Sequence, residues 1–388
     1  MHKFVRSVFA ASMVTAASPL FAEQGITADE VSFAQVAALD GPAAALGTGM
    51  ELGVLAAFNE ANKAGGVSGR RLSLQSFDDG YEPEKSVNLV REVIEGDDHI
   101  GFIGSVGTPT ALATQPIATE AGFAYIGPFT GAGFLRDAAL TNVVNIRATY
   151  ADETEAWIAH LVDDLGMKKV ALLYQDDGFG RVGLDGVTAA LDRRGMSLVA
   201  QGSYTRNTTA VKSALIDIRK AEPEAVVMVG AYKPVAEFIR LSRKLKFEPT
   251  FVNISFVGSD ALASELGPDG EGVIISQVVP FPWDTSLPII AEYQAALVEQ
   301  ASDARPGFVS LEGYIVGRVA IEALKSAGND LTRESYLEAL GSLGTLDLGG
   351  LTLTYGPGDN QGSDSVFLTR INADGTFEVV EPGSSLGG

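Results

Sequence analysis

The sequence predicts an α/β protein made of two doubly wound, parallel-sheet lobes. Three observations carry this expectation. Strand-like and helix-like segments alternate along nearly the whole chain, as in repeated β-α-β units. The alternation restarts near residue 150 with no Gly-, Pro- or Ser-rich linker before it. The 388 residues are 46 % hydrophobic, enough for two cores.

The first series opens with a strand at 31–38. A helix at 47–64 follows and is stopped by Gly65-Gly66, since glycine accepts the left-handed conformation that ends helices. Next come a strand at 71–77, a helix at 83–95 opened by Pro83, and a strand at 99–104. A helix at 110–121 and strands at 123–127 and 142–146 complete the series. The second series has a helix at 151–165, a strand at 169–174 and a helix at 182–194. A strand at 197–204 leads to a helix at 208–221, where Val211, Ala214, Leu215 and Ile218 recur at helical spacing. A strand at 225–229, a helix at 234–245 and strands at 250–253 and 272–278 follow. Helices at 288–301, 309–327 and 331–341 and strands at 350–355, 365–371 and 376–380 end the chain. "DDGY" (78–81) and "DDGF" (176–179) each follow a strand, one per lobe. Such loops either line a cleft at the carboxyl ends of the strands or form Asx turns that cap the next helix, and both readings are open.

Residues 1–22 carry Lys3 and Arg6, then a mostly apolar run ending at Ala22, the pattern of a secretory signal cleaved after Ala22. The run is shorter than the roughly 20 residues a membrane span needs. Formal charge is −21, so no basic face is expected for nucleic acid. The chain has no cysteine, which excludes disulfides, thiolate metal sites and a cysteine nucleophile.

Chemistry finds little support. Beyond the signal only His99 and His160 remain, neither with a second histidine at ligand spacing, so structural roles are expected and no metal or cofactor is predicted. A G-x-S-x-G pattern occurs at 383–387, with no room for a helix after it. In "GTGMELG" (47–53) Leu52 stands where the dinucleotide fingerprint needs its third glycine. "IGFIGSVGTPTALATQ" (100–115) reads as strand, glycine turn and helix start. A helix N-terminus presents N–H groups and a partial positive charge, so this turn is a candidate anion site. No Gly-Lys-Ser/Thr follows it, so a single carboxylate suits it better than a polyphosphate. The alternative is an ordinary capped helix.

"LDGPAAALG" (39–47), "FNEANKAGGVSGRRLSL" (58–74), "DDGYEPEKSV" (78–87), "FIGSVGTPT" (102–110), "NIRATYADE" (145–153), "YQDDGFG" (174–180), "VGAY" (229–232) and "LEGYIVGRVAIEAL" (311–324) occur in that order. Through them the chain resembles the type I periplasmic solute-binding proteins, in their leucine/isoleucine/valine-binding branch. The resemblance implies two lobes joined by three crossovers, near 147–150, 276–280 and 350–355. Lobe one would hold 23–148 and 278–352, and lobe two 149–277 and 353–388. It implies a periplasmic receptor for an ABC importer, a monomer, binding an amino acid or related small carboxylate without converting it and handing it to inner-membrane permease subunits. A sensory receptor for a membrane kinase or cyclase and an exported enzyme are the alternatives.

The resemblance also implies a binding site. Thr108 would supply a hydroxyl to the ligand carboxylate, with Pro109 and Thr110 beside it. Phe129 and Gly131 match a second contact loop, Asp152 an acid that holds an α-amino group, and Phe179 and Tyr232 aromatic contacts from the second lobe; Tyr150 adds a further ring. Ser255 stands where the family has a second acid, Leu46 where an aromatic is common, and the two cysteines of some members are absent. Ser255 therefore implies a weaker hold on an α-amino group.

Overall fold

The computed structural model describes residues 25–381. The predicted signal segment, its cleavage point and the 383–387 pattern lie outside the described residues.

Strand β1 (Glu30–Ala37) is buried along nearly its whole length and lies inside the first sheet, between two neighbours. Helix α1 (Ala44–Lys63) follows and ends as expected, with the Gly65 and Gly66 N–H groups donating to Asn62 O and Ala61 O. Strand β2 (Arg71–Asp78), helix α2 (Pro83–Gly96), strand β3 (Gly101–Ile103), helix α3 (Thr108–Glu120), strand β4 (Ala124–Ile126) and strand β5 (Val143–Val144) complete this series. Its strands are all parallel, in the order β2-β1-β3-β4-β5.

Helix α4 (Tyr150–Ile158) opens the second series. The sequence predicts one helix to residue 165, but the chain widens into a π-helical segment, Ala159–Asp164, before it stops. Strand β6 (Val170–Gln175), helix α5 (Gly178–Asp192), strand β7 (Ala200–Tyr204), helix α6 (Lys212–Lys220), strand β8 (Ala225–Val229), helix α7 (Tyr232–Lys244) and strand β9 (Thr250–Asn253) follow. Then come helix α8 (Ser259–Leu266), which sequence reading missed, and strand β10 (Ile274–Gln277). Helices α9 (Pro288–Gln300), α10 (Phe308–Ala327) and α11 (Arg333–Gly341) and a small hairpin of β11 (Thr345–Asp347) with β12 (Thr352–Thr354) come next. Strands β13 (Phe367–Ile371) and β14 (Phe377–Val379) close the chain.

The second sheet runs β14-β13-β10-β9-β8-β6-β7. It is not wholly parallel: β13 pairs antiparallel with β10, and β14 with β13. These late strands arrive from the other lobe and fold as a hairpin, which fixes their direction. Helix α10 packs back onto α1 of the first lobe. A β-carbon at Gly53 would lie 2.0 Å from Ser310 O, and one at Gly313 would lie 2.4 Å from Met50 O, so these two helices cross at backbone distance.

Both sheets reverse strand order beside their first strand in sequence, between β1 and β3 in one and between β6 and β8 in the other. Crevices open outside the carboxyl ends of strands at such points. The loops after β1, β2, β3 and β4 thus meet the loops after β6, β7, β8 and β9.

Candidate functional site

The glycine turn after β3 is shaped by its neighbours. Gly107 has φ 107°, and a β-carbon there would lie 2.3 Å from the Tyr81 ring, so only glycine fits. The turn is zipped to the next loop: Phe129 N–H donates to Ser105 O (2.8 Å) and Gly107 N–H donates to Phe129 O (3.2 Å). This brings the Thr108 and Thr130 hydroxyls to 2.6 Å. Thr110 sits on the same turn but points back, donating to Val106 O and Gly107 O. Pro109 is buried between them.

Three rings converge on Phe256, which sequence reading missed, and a fourth packs behind one of them. Phe256 lies 5.5 Å from Phe129, 4.6 Å from Phe179 and 5.9 Å from Tyr81, and Tyr150 packs on Phe179 at 5.4 Å. All five are buried. Phe129 and Tyr81 come from the first lobe and Phe179 and Phe256 from the second, so the two lobes meet through these rings. Gly131 belongs here for a packing reason. A β-carbon on it would lie 2.7 Å from the Tyr150 ring and 2.8 Å from Tyr150 N, so a valine there displaces Tyr150 rather than simply blocking a ligand. Tyr232 is at the margin, where its hydroxyl accepts from Ala45 N–H at 3.4 Å.

Asp152 is not brought into this group. Thr149 caps α4 in a reciprocal capping box, and Asp152 Oδ2 accepts from Thr149 N–H (2.9 Å) and Thr149 Oγ1 (2.6 Å). The acid that does turn inward is the next residue. Glu153 is fully buried and accepts from Ser255 N–H (2.8 Å), Ser255 Oγ (2.8 Å) and Ser276 Oγ. Burial raises its pKa, against the opposing effects of Arg147, Ser276 and Ser255. The serine at 255 is therefore not a bare replacement for an acid, because an acid from another element reaches it.

Below the rings lies a charge cluster absent from the sequence reading. Arg147, 1 % exposed, pairs with Glu312 through Nε–Oε1 (2.9 Å) and Nη2–Oε2 (3.0 Å), and its guanidinium carbon lies 4.5 Å from the centre of the Phe129 ring. Arg136 donates to Thr130 O, Ala132 O, Arg147 O and Gln361 Oε1, and burial pushes its pKa down to about 10.

The paired Asp-Asp-Gly loops satisfy both sequence readings. Asp79 and Asp177 accept from the N–H groups of Tyr81 and Phe179 as Asx turns. They also face each other across the lobes, where Gln175 Nε2 donates to Tyr81 Oη at 3.3 Å. Outside them Arg206 donates to Glu82 (2.8 Å) and Asp177 (3.0 Å), and Asn207 donates to Glu82 (2.7 Å) and Gly80 O (3.0 Å). On the opposite flank Asp260 accepts from Phe308 N–H at 3.2 Å. His99 bonds Gln75 and His160 bonds Asp164. Among the described residues no group of three or more His, Cys, Asp or Glu is placed to hold a metal.

Two α/β lobes that meet through buried rings at the switch points of their sheets have the architecture of a type I binding protein. The chain belongs to the periplasmic binding protein family, whose profile matches residues 30–376, and to its leucine/isoleucine/valine-binding type. It is similar to a possible leucine/isoleucine/valine-binding protein from Rhodopirellula baltica SH 1, with 38 % identity over 94 % of this chain and 98 % of that one and a TM-score of 0.87. It is similar to a substrate-binding periplasmic protein from Ralstonia solanacearum, with 28 % identity, 90 % and 99 % coverage and a TM-score of 0.84. A Leu/Ile/Val-binding protein, BraC3 of Rhizobium johnstonii, is 28 % identical over 249 residues, 63 % of this chain and 66 % of that protein. This is a family of solute-binding proteins rather than enzymes. No helix among the described residues is long and apolar enough to cross a membrane.

Proposed function

We propose that this protein is the periplasmic substrate-binding component of an ABC importer and captures an amino acid or related small carboxylate between its lobes. The observation that carries this reading is the meeting of rings from both lobes at the two sheets' switch points, beside the Thr108 and Thr130 hydroxyls. The first lobe receives the carboxylate, and the second closes over its body. A ligand shifts the balance toward the closed form only by preferring it. The closed form is the one the permease recognises.

Mass spectrometry of small molecules released on denaturing the purified protein is expected to yield a small carboxylate. Adding that compound to stripped protein should reduce the radius of gyration in small-angle scattering. An identical curve at saturation would overturn the cleft-closing mechanism.

Thr108→Ala is expected to weaken binding of the released compound about 10–150-fold, the equivalent of one hydrogen bond to a charged group, about 1.5–3 kcal/mol. Calorimetry checks this, with a melting curve to show that the fold survives. Unchanged affinity would remove Thr108 from the site.

A further inference from the structure

Around Tyr150 two buried hydrogen-bond donors lack a full complement of acceptors, while the acids are already occupied. Arg147 Nη2 donates to Glu312 Oε2 and Nε lies 2.9 Å from Oε1 in the same ion pair, but Nη1 is buried with no partner. The Tyr150 hydroxyl is buried beside the Thr130 side chain and makes no well-formed hydrogen bond of its own. The neighbouring carboxylates are in the opposite state. Asp152 is held by its helix cap, and Glu153 accepts three hydrogen bonds from Ser255 and Ser276. Asp79 accepts from Tyr81 N–H and Ser86 Oγ, and Asp177 from Phe179 N–H, Gln175 and Arg206.

Two consequences follow for a molecule closed into this cleft. A buried donor without an acceptor is costly, and a ligand carboxylate relieves two such donors at once. A buried ammonium is costly unless it meets a free acid, and each acid here would have to give up an existing bond to receive one. The remaining surface is aromatic and suits an apolar body.

We infer that the ligand is a carboxylate with an uncharged, apolar body and no α-ammonium, and that the Tyr150 hydroxyl and Arg147 Nη1 bind its carboxylate together with Thr108. This rests on the reading of the cleft as a small-carboxylate site and narrows it. It differs from an amino-acid site in a way that affinity measures directly.

The test is calorimetry on the purified, stripped protein with two matched series. One is 3-phenylpropanoate, L-phenylalanine and 3-phenylpropanamide; the other is 4-methylpentanoate, L-leucine and 4-methylpentanamide. In at least one series the acid should bind ten-fold or more tightly than its amino acid and more tightly than its amide. Tyr150→Phe keeps the ring and removes only a hydroxyl that faces Thr130, so the protein should still melt as a folded molecule while binding the acid about ten-fold more weakly and the amide much less so. A purely structural Tyr150 would leave all affinities unchanged, which would overturn the assignment of its hydroxyl. An amino acid binding as tightly as its des-amino partner would overturn the ligand class. If no member of either series binds, the class is also wrong. The receptor reading is judged separately, by whether the compound released from the protein compacts it.

Discussion

Replacing Glu312 by leucine is expected to destabilise the protein by about 3–5 kcal/mol, the cost of leaving one buried charge without its partner. Arg147 and Glu312 are 1 % and 2 % exposed and joined by two parallel contacts of 2.9 and 3.0 Å. Arg147 sits between β5 and α4 where the chain leaves the first sheet, and Glu312 lies on α10, so the pair ties this crossing to the helix packed on α1. With Glu312 gone, the guanidinium keeps the Phe129 face at 4.5 Å and the field of Glu153, which is already engaged by Ser255 and Ser276. A cation–π contact of about 2 kcal/mol when desolvated offsets part of the loss and not the whole. The double variant Arg147→Met/Glu312→Leu should recover most of the stability, because two apolar side chains of similar size carry no desolvation cost. Denaturant unfolding of the wild type and the two variants decides the matter. A single Glu312→Leu variant as stable as wild type would mean that Arg147 finds another anion, with Glu153 the first candidate.

The elements that sequence reading placed best are those whose burial is uniform. "AVVMV" and "TFVN" became β8 and β9 with the bounds expected, because an interior parallel strand is buried on both faces and reads as a continuous apolar run. Helix α8 escaped because it is only eight residues of mixed small and acidic character, with Leu262, Ala263 and Leu266 as its sole apolar stripe. The site was legible at the level of loops and less so at the level of single residues. Asp152 and Glu153 are neighbours on one helix turn, and helix phase alone sends one to the cap and the other into the interior. The Thr-x-x-Asp spacing at 149–152 is itself a capping-box signature, and weighing it would have moved Asp152 out of the site. Phe256 gave no signal, since in "ISFVGSD" it is indistinguishable from a core residue until the second lobe closes on the first.

Arg206→Ala/Asn207→Ala is expected to lower ligand affinity roughly 10–150-fold although neither residue belongs to the ring cluster. Both follow β7 in the second lobe, whereas Glu82 and Gly80 follow β2 in the first. Three hydrogen bonds cross between them: Arg206 Nη2 to Glu82 Oε2 (2.8 Å), Asn207 Nδ2 to Glu82 Oε1 (2.7 Å) and Asn207 Nδ2 to Gly80 O (3.0 Å). They exist only while the lobes are together, so their whole contribution acts on the closed form, which holds the ligand. Glu82 is half exposed at 50 % and Arg206 21 % exposed, so solvent screening reduces each bond to about 0.5–1 kcal/mol rather than the buried value. Three such bonds give about 1.5–3 kcal/mol, the range stated for affinity. Arg206 also holds Asp177 at 3.0 Å within its own lobe, and that contact survives opening. The loss should appear chiefly as faster dissociation, because it removes bonds formed after capture. It should shrink at high ionic strength, where the wild-type pair is screened as well. Stopped-flow dissociation rates at low and high salt test both points. Equal rates in wild type and double variant would show that closure is held by the ligand and the rings alone.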